Sequence, residues 1–131
     1  MKKILLIEDD KPTIEIYEEV LKRGGFEVET LKTGFEAIER LEEIKKGKKE
    51  KPDLILLDLI LPGFDGIEIL EKAKGEEKIK NLSFFILTNY TAPEAEKRVK
   101  ELGIENYIVK ANTPPSQLVK IIKDWFKKRM S

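Results

Sequence analysis

A three-layer, doubly wound α/β domain, with a five-stranded parallel sheet covered by five helices, is the fold that the sequence predicts. Three observations predict it. Short apolar runs of strand length alternate five times with stretches whose apolar spacing is close to 3.6 residues. Four of the five runs are continuously apolar, as strands covered on both faces must be. Helix-start residues stand between each run and the helical stretch after it, and repeated strand–helix units with right-handed crossovers build a parallel sheet.

The elements follow in order. Ile4-Leu5-Leu6-Ile7 reads as the first strand and ends at Glu8-Asp9-Asp10. Asp10 with Pro12 opens a helix whose inward positions are Ile14, Tyr17, Val20 and Leu21, and Gly24-Gly25 closes it. Phe26-Glu27-Val28 is the second strand, ending at Glu29-Thr30; Thr33 with Glu36 has capping-box spacing before Ala37, Ile38, Leu41 and Ile44. The lysine-rich stretch 45–51 reads as solvated surface. Leu54-Ile55-Leu56-Leu57 is the third strand, and Asp65 with Glu68 caps a helix carrying Ile67, Ile69 and Leu70. Phe84-Phe85-Ile86-Leu87 is the fourth; Thr91 with Glu94 is expected to cap the helix of Ala95, Val99 and Leu102, which Gly103 closes. Tyr107-Ile108-Val109 is the fifth, and Thr113 with Pro114 is expected to start the last helix, with Leu118, Ile121, Ile122, Trp125 and Phe126.

Composition narrows the function. At 131 residues and 40% apolar content, one domain spanning residues 1–131 with no separate output domain is expected. Lys plus Arg and Asp plus Glu are 25 each, which disfavours a nucleic-acid binder. With no Cys and no His, thiol nucleophiles, disulfides, zinc centres and Ser-His triads are excluded. No stretch approaches the roughly 18 apolar residues of a membrane span, and the apolar start is too short for a leader, so a cytoplasmic protein is expected. Acids exceed bases in residues 1–43, while bases exceed acids in residues 110–131. The last helix, with Lys120, Lys123, Lys127, Lys128 and Arg129 and with Trp125 and Phe126 at its end, is therefore expected to contribute to docking an acidic partner.

Ligands of an open parallel sheet sit at the carboxyl ends of its strands. There the first strand delivers Glu8, Asp9 and Asp10, the third Asp58, the fourth Thr88 and the fifth Lys110. Asp10 is most simply the cap of the first helix. Gathered carboxylates call for a shared proton or a hard cation, and oxygen-only ligands favour Mg²⁺ or Mn²⁺ over zinc. Carboxylates, Lys and a hydroxyl form a phosphoryl-transfer set, in which an Asp can serve as nucleophile and become an aspartyl phosphate.

These residues resemble the signature of the response-regulator receiver domain of two-component signalling. The likeness is carried by Ile4 to Asp10, Leu54 to Gly66, Ile86-Leu87-Thr88 and Tyr107 to Lys110, in order and in register over essentially the whole chain. It implies the flavodoxin-like strand order 2-1-3-4-5. It implies Asp58 as phospho-acceptor, with Mg²⁺ (or Mn²⁺) bound by Asp9, Asp58 and the backbone carbonyl of Ile60, and by Glu8 through water. Lys110 would contact the phosphoryl oxygens, Thr88 would swing in to bond them, and Tyr107 would be the switch aromatic. The phosphoryl donor would be a histidine kinase or histidine phosphotransfer protein, in a two-component pathway or a phosphorelay. Output would pass to a downstream protein on the face of helix four, strand five and helix five, with no nucleic-acid or membrane partner. Such a domain is regulatory, at most catalysing its own phosphorylation and dephosphorylation.

Two departures stand out. The family usually has Pro after the Lys, in a cis peptide, whereas Ala111 stands here. A cis bond before Ala costs about 2.5–4 kcal/mol, so either a trans bond with altered loop geometry or a strained cis bond is expected. Asn89, where the family has a small residue, and Tyr90 after it place bulk beside the acceptor, and Ile60 offers no polar side chain to orient an attacking water. Two rival readings are a pseudo-receiver that binds partners without phosphorylation and a haloacid-dehalogenase-like phosphatase. The latter needs a second Asp where Ile60 stands.

Overall fold

The apolar runs pair side by side as parallel strands. A computed structural model describes residues 1–104 and 106–130. In chain order its elements are β1 (Lys3–Ile7), α1 (Lys11–Arg23), β2 (Glu27–Leu31), α2 (Gly34–Lys45), β3 (Leu54–Leu57), β4 (Ile60–Leu61), β5 (Phe64–Asp65), α3 (Gly66–Lys74), β6 (Phe84–Thr88), α4 (Pro93–Glu101), β7 (Tyr107–Val109), a 3-10 turn (Lys110–Asn112) and α5 (Pro115–Met130). The main sheet is parallel, in the order β2-β1-β3-β6-β7. Since β6 and β7 are its fourth and fifth strands along the chain, this is the expected 2-1-3-4-5. The chain order reverses between β1 and β3, so the crevice for a ligand lies beyond their carboxyl ends.

Side-chain alternation assigns each strand residue to a layer. Ile4 and Leu6, Leu54 and Leu56, and Phe85 and Leu87 join Tyr17, Leu21, Leu118 and Ile122 in one core beneath α1 and α5. Leu5 and Ile7, Ile55 and Leu57, and Phe84 and Ile86 join Leu41, Ile69 and Val99 in the other, beneath α2, α3 and α4. Both faces of the central strands are thus covered, which is why their sequences read as unbroken apolar runs.

Some local expectations are corrected. The second strand runs from Glu27 to Leu31, not from Phe26 to Val28. Phe26 belongs to the closing turn of α1, its N–H bonded to the Leu21 carbonyl, and its ring packs on Phe126 at 5.8 Å. Ala92 rather than Thr91 caps α4 and makes no side-chain cap bond, because Pro93 begins the helix and leaves Thr91 one residue too early. At α5 the Pro114 carbonyl receives the N–H groups of Gln117 and Leu118, while Thr113 donates to the Lys110 carbonyl and closes the preceding turn. In α5, Trp125 is half-buried and stacks edge-on against Phe85 at 5.2 Å, and Phe126 is buried, so both side chains contribute to packing. The described residues contain no cis peptide bond, so the link after Lys110 is trans and the loop turns through the 3-10 helix. Among them, no helix is long and apolar enough to cross a membrane.

Candidate functional site

The sheet itself places the polar residues. Its hydrogen-bond ladder continues one residue past the strands: Glu8 N–H bonds to the Leu31 carbonyl at 3.0 Å and Asp58 N–H to the Ile7 carbonyl at 3.1 Å. Thr88 is the last residue of β6, paired with Val109 of β7, so Lys110 leaves the sheet directly beside it. On the far side, Gly66 brings the start of α3 against the β3 exit. Its N–H bonds to the Leu59 carbonyl at 2.7 Å, and an added Cβ would lie 2.6 Å from the Leu59 Cα. Only glycine permits that approach.

Asp58, Glu8 and Thr88 are buried. Asp58 Oδ1 accepts from Thr88 Oγ1 at 2.6 Å and from the Ile60 N–H at 3.1 Å, and its Oδ2 accepts from Lys110 Nζ at 2.8 Å. The Lys110 ammonium also donates to Glu8 Oε1, and the Asp10 N–H donates to Glu8 Oε2 at 3.2 Å. Burial pushes the Glu8 carboxyl above its ordinary range even though Lys110 pulls it down. Burial pulls Lys110 down, but its bonds to Asp58 and Glu8 outweigh that and hold the ammonium above its usual value. Asp9 is exposed, yet one oxygen each from Glu8, Asp9 and Asp58 lie within 4.8 Å of one another. Three carboxylates against one ammonium, offering only oxygen, fit a hard divalent cation.

A cleft of about 470 Å³ gathers Glu8, Asp9, Asp58, Ile60, Thr88 and Lys110, the expected acceptor and metal set. Asp10 lies at its rim but acts as the α1 cap, accepting from the Thr13 N–H at 3.1 Å. Tyr107 is not part of the cleft wall. It connects through Tyr90: the Tyr107 hydroxyl donates to the Tyr90 carbonyl, and the Tyr90 N–H donates to Thr88 Oγ1 at 3.2 Å. Burial pushes the Tyr107 hydroxyl up to about 12, so it remains a donor. Sequence reasoning took Tyr90 only as bulk; its contribution here is made by backbone atoms, which no residue type signals. It also missed that Asn89 meets Ala111.

Comparison with known proteins agrees with this geometry. The family model for the response regulator receiver domain matches residues 4–123. The polar-differentiation response regulator DivK of Brucella ovis is 26% identical over 124 residues, which is 95% of each chain. Among solved structures, the phosphorylated cyanobacterial phytochrome response regulator RcpA superposes with a TM-score of 0.80 at 34% identity, covering 94% of this chain and 89% of its own. The Mn²⁺-bound response regulator Rcp1 superposes with a TM-score of 0.83 at 30% identity, covering 96% and 94%. A match spanning nearly the whole fold, over the same strand ends that assemble the acidic cleft, shows that the chain belongs to the response regulator receiver domain family of two-component signalling.

Proposed function

We propose that Asp58 accepts a phosphoryl group from a phosphohistidine carried by a histidine kinase or histidine phosphotransfer protein, and that this switches a protein-binding face. The observation that carries the reading is the pairing of Asp58: both carboxylate oxygens are held by protein donors, at the floor of a cleft rich in acids. An Asp58 oxygen bonds to phosphorus as the P–N bond of the donor imidazole breaks. The ring nitrogen leaves with the electron pair and takes up a proton, yielding an acyl phosphate and a neutral histidine. Lys110 pairs the added negative charge, and Thr88 turns its hydroxyl from Asp58 Oδ1 to a phosphoryl oxygen. Asp9, Asp58 and the Ile60 carbonyl would hold Mg²⁺ or Mn²⁺ directly and Glu8 would do so through water. When bound, the cation neutralises charge on the transferring group. The Mn²⁺-bound state of Rcp1 and the phosphorylated state of RcpA support the same chemistry.

The readout follows the bonds that run from Asp58 through Thr88 and Tyr90 to Tyr107. When Thr88 re-aims, Tyr90 and the Tyr107 hydroxyl move with it. Tyr107 lines a shallow depression of about 970 Å³ beside α4, with Lys97, Lys100 and Ile104; a downstream protein docks on the α4–β7–α5 face, over the α4 and β7 side that this depression marks. Incubation with Mg²⁺ and acetyl phosphate, followed by intact mass, tests the proposal beside Asp58→Asn. One added phosphoryl on the wild type alone supports it. No addition favours a phosphorylation-independent module, and steady turnover of a small phosphate ester favours a hydrolase.

A further inference from the structure

The two unusual positions, 89 and 111, meet in space. The Ala111 N–H donates to Asn89 Oδ1 at 2.8 Å. Asn89 directly follows Thr88, and Ala111 directly follows Lys110. The bond therefore ties together the chain segments carrying the two side chains that hold opposite oxygens of Asp58. It also sits where the sheet stops holding them. β7 is a three-residue edge strand, and its last ladder pair is Thr88 with Val109. Past that pair the Thr113 N–H bond to the Lys110 carbonyl, at 3.3 Å, is internal to the turn. The Asn89 bond anchors the turn to the loop after β6. Proline at 111 would have no N–H to give, so the bond depends on the residue found there.

We infer that Asn89 is a positioning residue for phosphoryl transfer: its side-chain oxygen holds the peptide after Lys110 and so keeps the Lys110 ammonium on Asp58. This rests on the reading of Asp58 as the acceptor. It opposes the simpler view of Asn89 as bulk that shields the site, and the two differ in sign. A shield predicts that Asn89→Ala is labelled faster; a positioning bond predicts that it is labelled more slowly.

The experiment follows labelling by acetyl phosphate at saturating Mg²⁺, together with the Mg²⁺ concentration for half-maximal rate and hydrogen exchange of the Ala111 amide. The maximal rate is expected to fall about fivefold in Asn89→Ala, the scale of one hydrogen bond, with Mg²⁺ half-saturation unchanged. Exchange at Ala111 should rise while core amides stay protected, and Asn89→Asp, which keeps an acceptor oxygen, should restore that protection. Because Asn89 acts through Lys110, its replacement should have no further effect in a Lys110→Ala background. An unchanged or faster rate in Asn89→Ala, or equal slowing with Lys110 already removed, overturns the inference while leaving Asp58 as acceptor. A wild type that is never labelled overturns both.

Discussion

Replacing Lys110 by methionine removes the one cation among the described residues lining the cleft and leaves the shape of its stem nearly intact. Its side chain is 13% exposed, and the carboxylates it serves, Glu8 and Asp58, are 2% and 9% exposed. At an effective dielectric near 20, each contact is worth about 6 kcal/mol of gross attraction, most of which offsets the cost of burying the three charges. What the substitution exposes is the uncompensated remainder. Losing one partner of a buried ion pair typically costs about 3–5 kcal/mol, and the cleft's opening to water places this case near 3. For a domain of this size that lowers Tm by about 10 °C. Urea unfolding followed by circular dichroism, with and without Mg²⁺, measures it. A loss of about 3 kcal/mol is expected without metal, with a larger stabilisation by Mg²⁺ in the variant than in the wild type, because the cation takes over the missing charge. A loss below about 1 kcal/mol, or no Mg²⁺ rescue, would refute the picture of carboxylates held together by this ammonium.

Three further expectations follow from other parts of the fold. Gly66→Ala puts a Cβ 2.7 Å from the Asp58 carbonyl as well as against Leu59, so it should cost about 2–3 kcal/mol in thermal unfolding and also slow labelling of Asp58 by acetyl phosphate. Thr33→Ala removes the bond from the Glu36 N–H and the reciprocal contact with the Glu36 carboxylate, and should cost about 1 kcal/mol by urea unfolding. Two Arg40 contacts, at 2.9 and 2.5 Å, outweigh partial burial and hold Glu29 at about 2 instead of 4.5. A depressed carboxylate stabilises the fold above its unfolded value and loses that contribution as pH falls. Stability should therefore drop between about pH 4.5 and 2, by about 1 kcal/mol once the screening of a one-third exposed side chain is allowed for. Glu29→Gln, compared by Tm across that range, should lack this component.

Much of the site was readable because parallel-sheet geometry does the gathering. Once Ile4–Ile7, Leu54–Leu57 and Phe84–Leu87 are seen as buried strands, Glu8, Asp58 and Thr88 must emerge at one edge, and the end of Tyr107–Val109 adds Lys110. Capping at Asp10, Thr33 and Asp65 was also readable, since each is a local bond between a side chain and backbone two or three residues on. The expected cap at Thr91 failed because Pro93 imposes its own start. The second strand was displaced because β2 lies at the sheet edge, where Glu27 and Glu29 interrupt the apolar run. The antiparallel ladder of β4 with β5 has two residues per strand, too few for a periodic signal. The bonds through Tyr90 and between Asn89 and Ala111 were invisible for another reason. The Tyr107–Tyr90 and Ala111–Asn89 bonds join segments that only the sheet brings together, each pairing a side chain with a backbone group distant in the sequence.

Under the proposed function, Asp58 alone among the clustered acids supplies the oxygen that bonds to phosphorus. Borohydride reduces an acyl phosphate to an alcohol and releases phosphate, converting a phosphorylated aspartate to homoserine. After labelling with Mg²⁺ and acetyl phosphate, reduction and peptide mass mapping, homoserine is expected at position 58, with Glu8, Asp9 and Asp10 unmodified. Homoserine at Asp9 or Asp10, a reduced side chain at Glu8, or no modification at any acid of the cleft would contradict it.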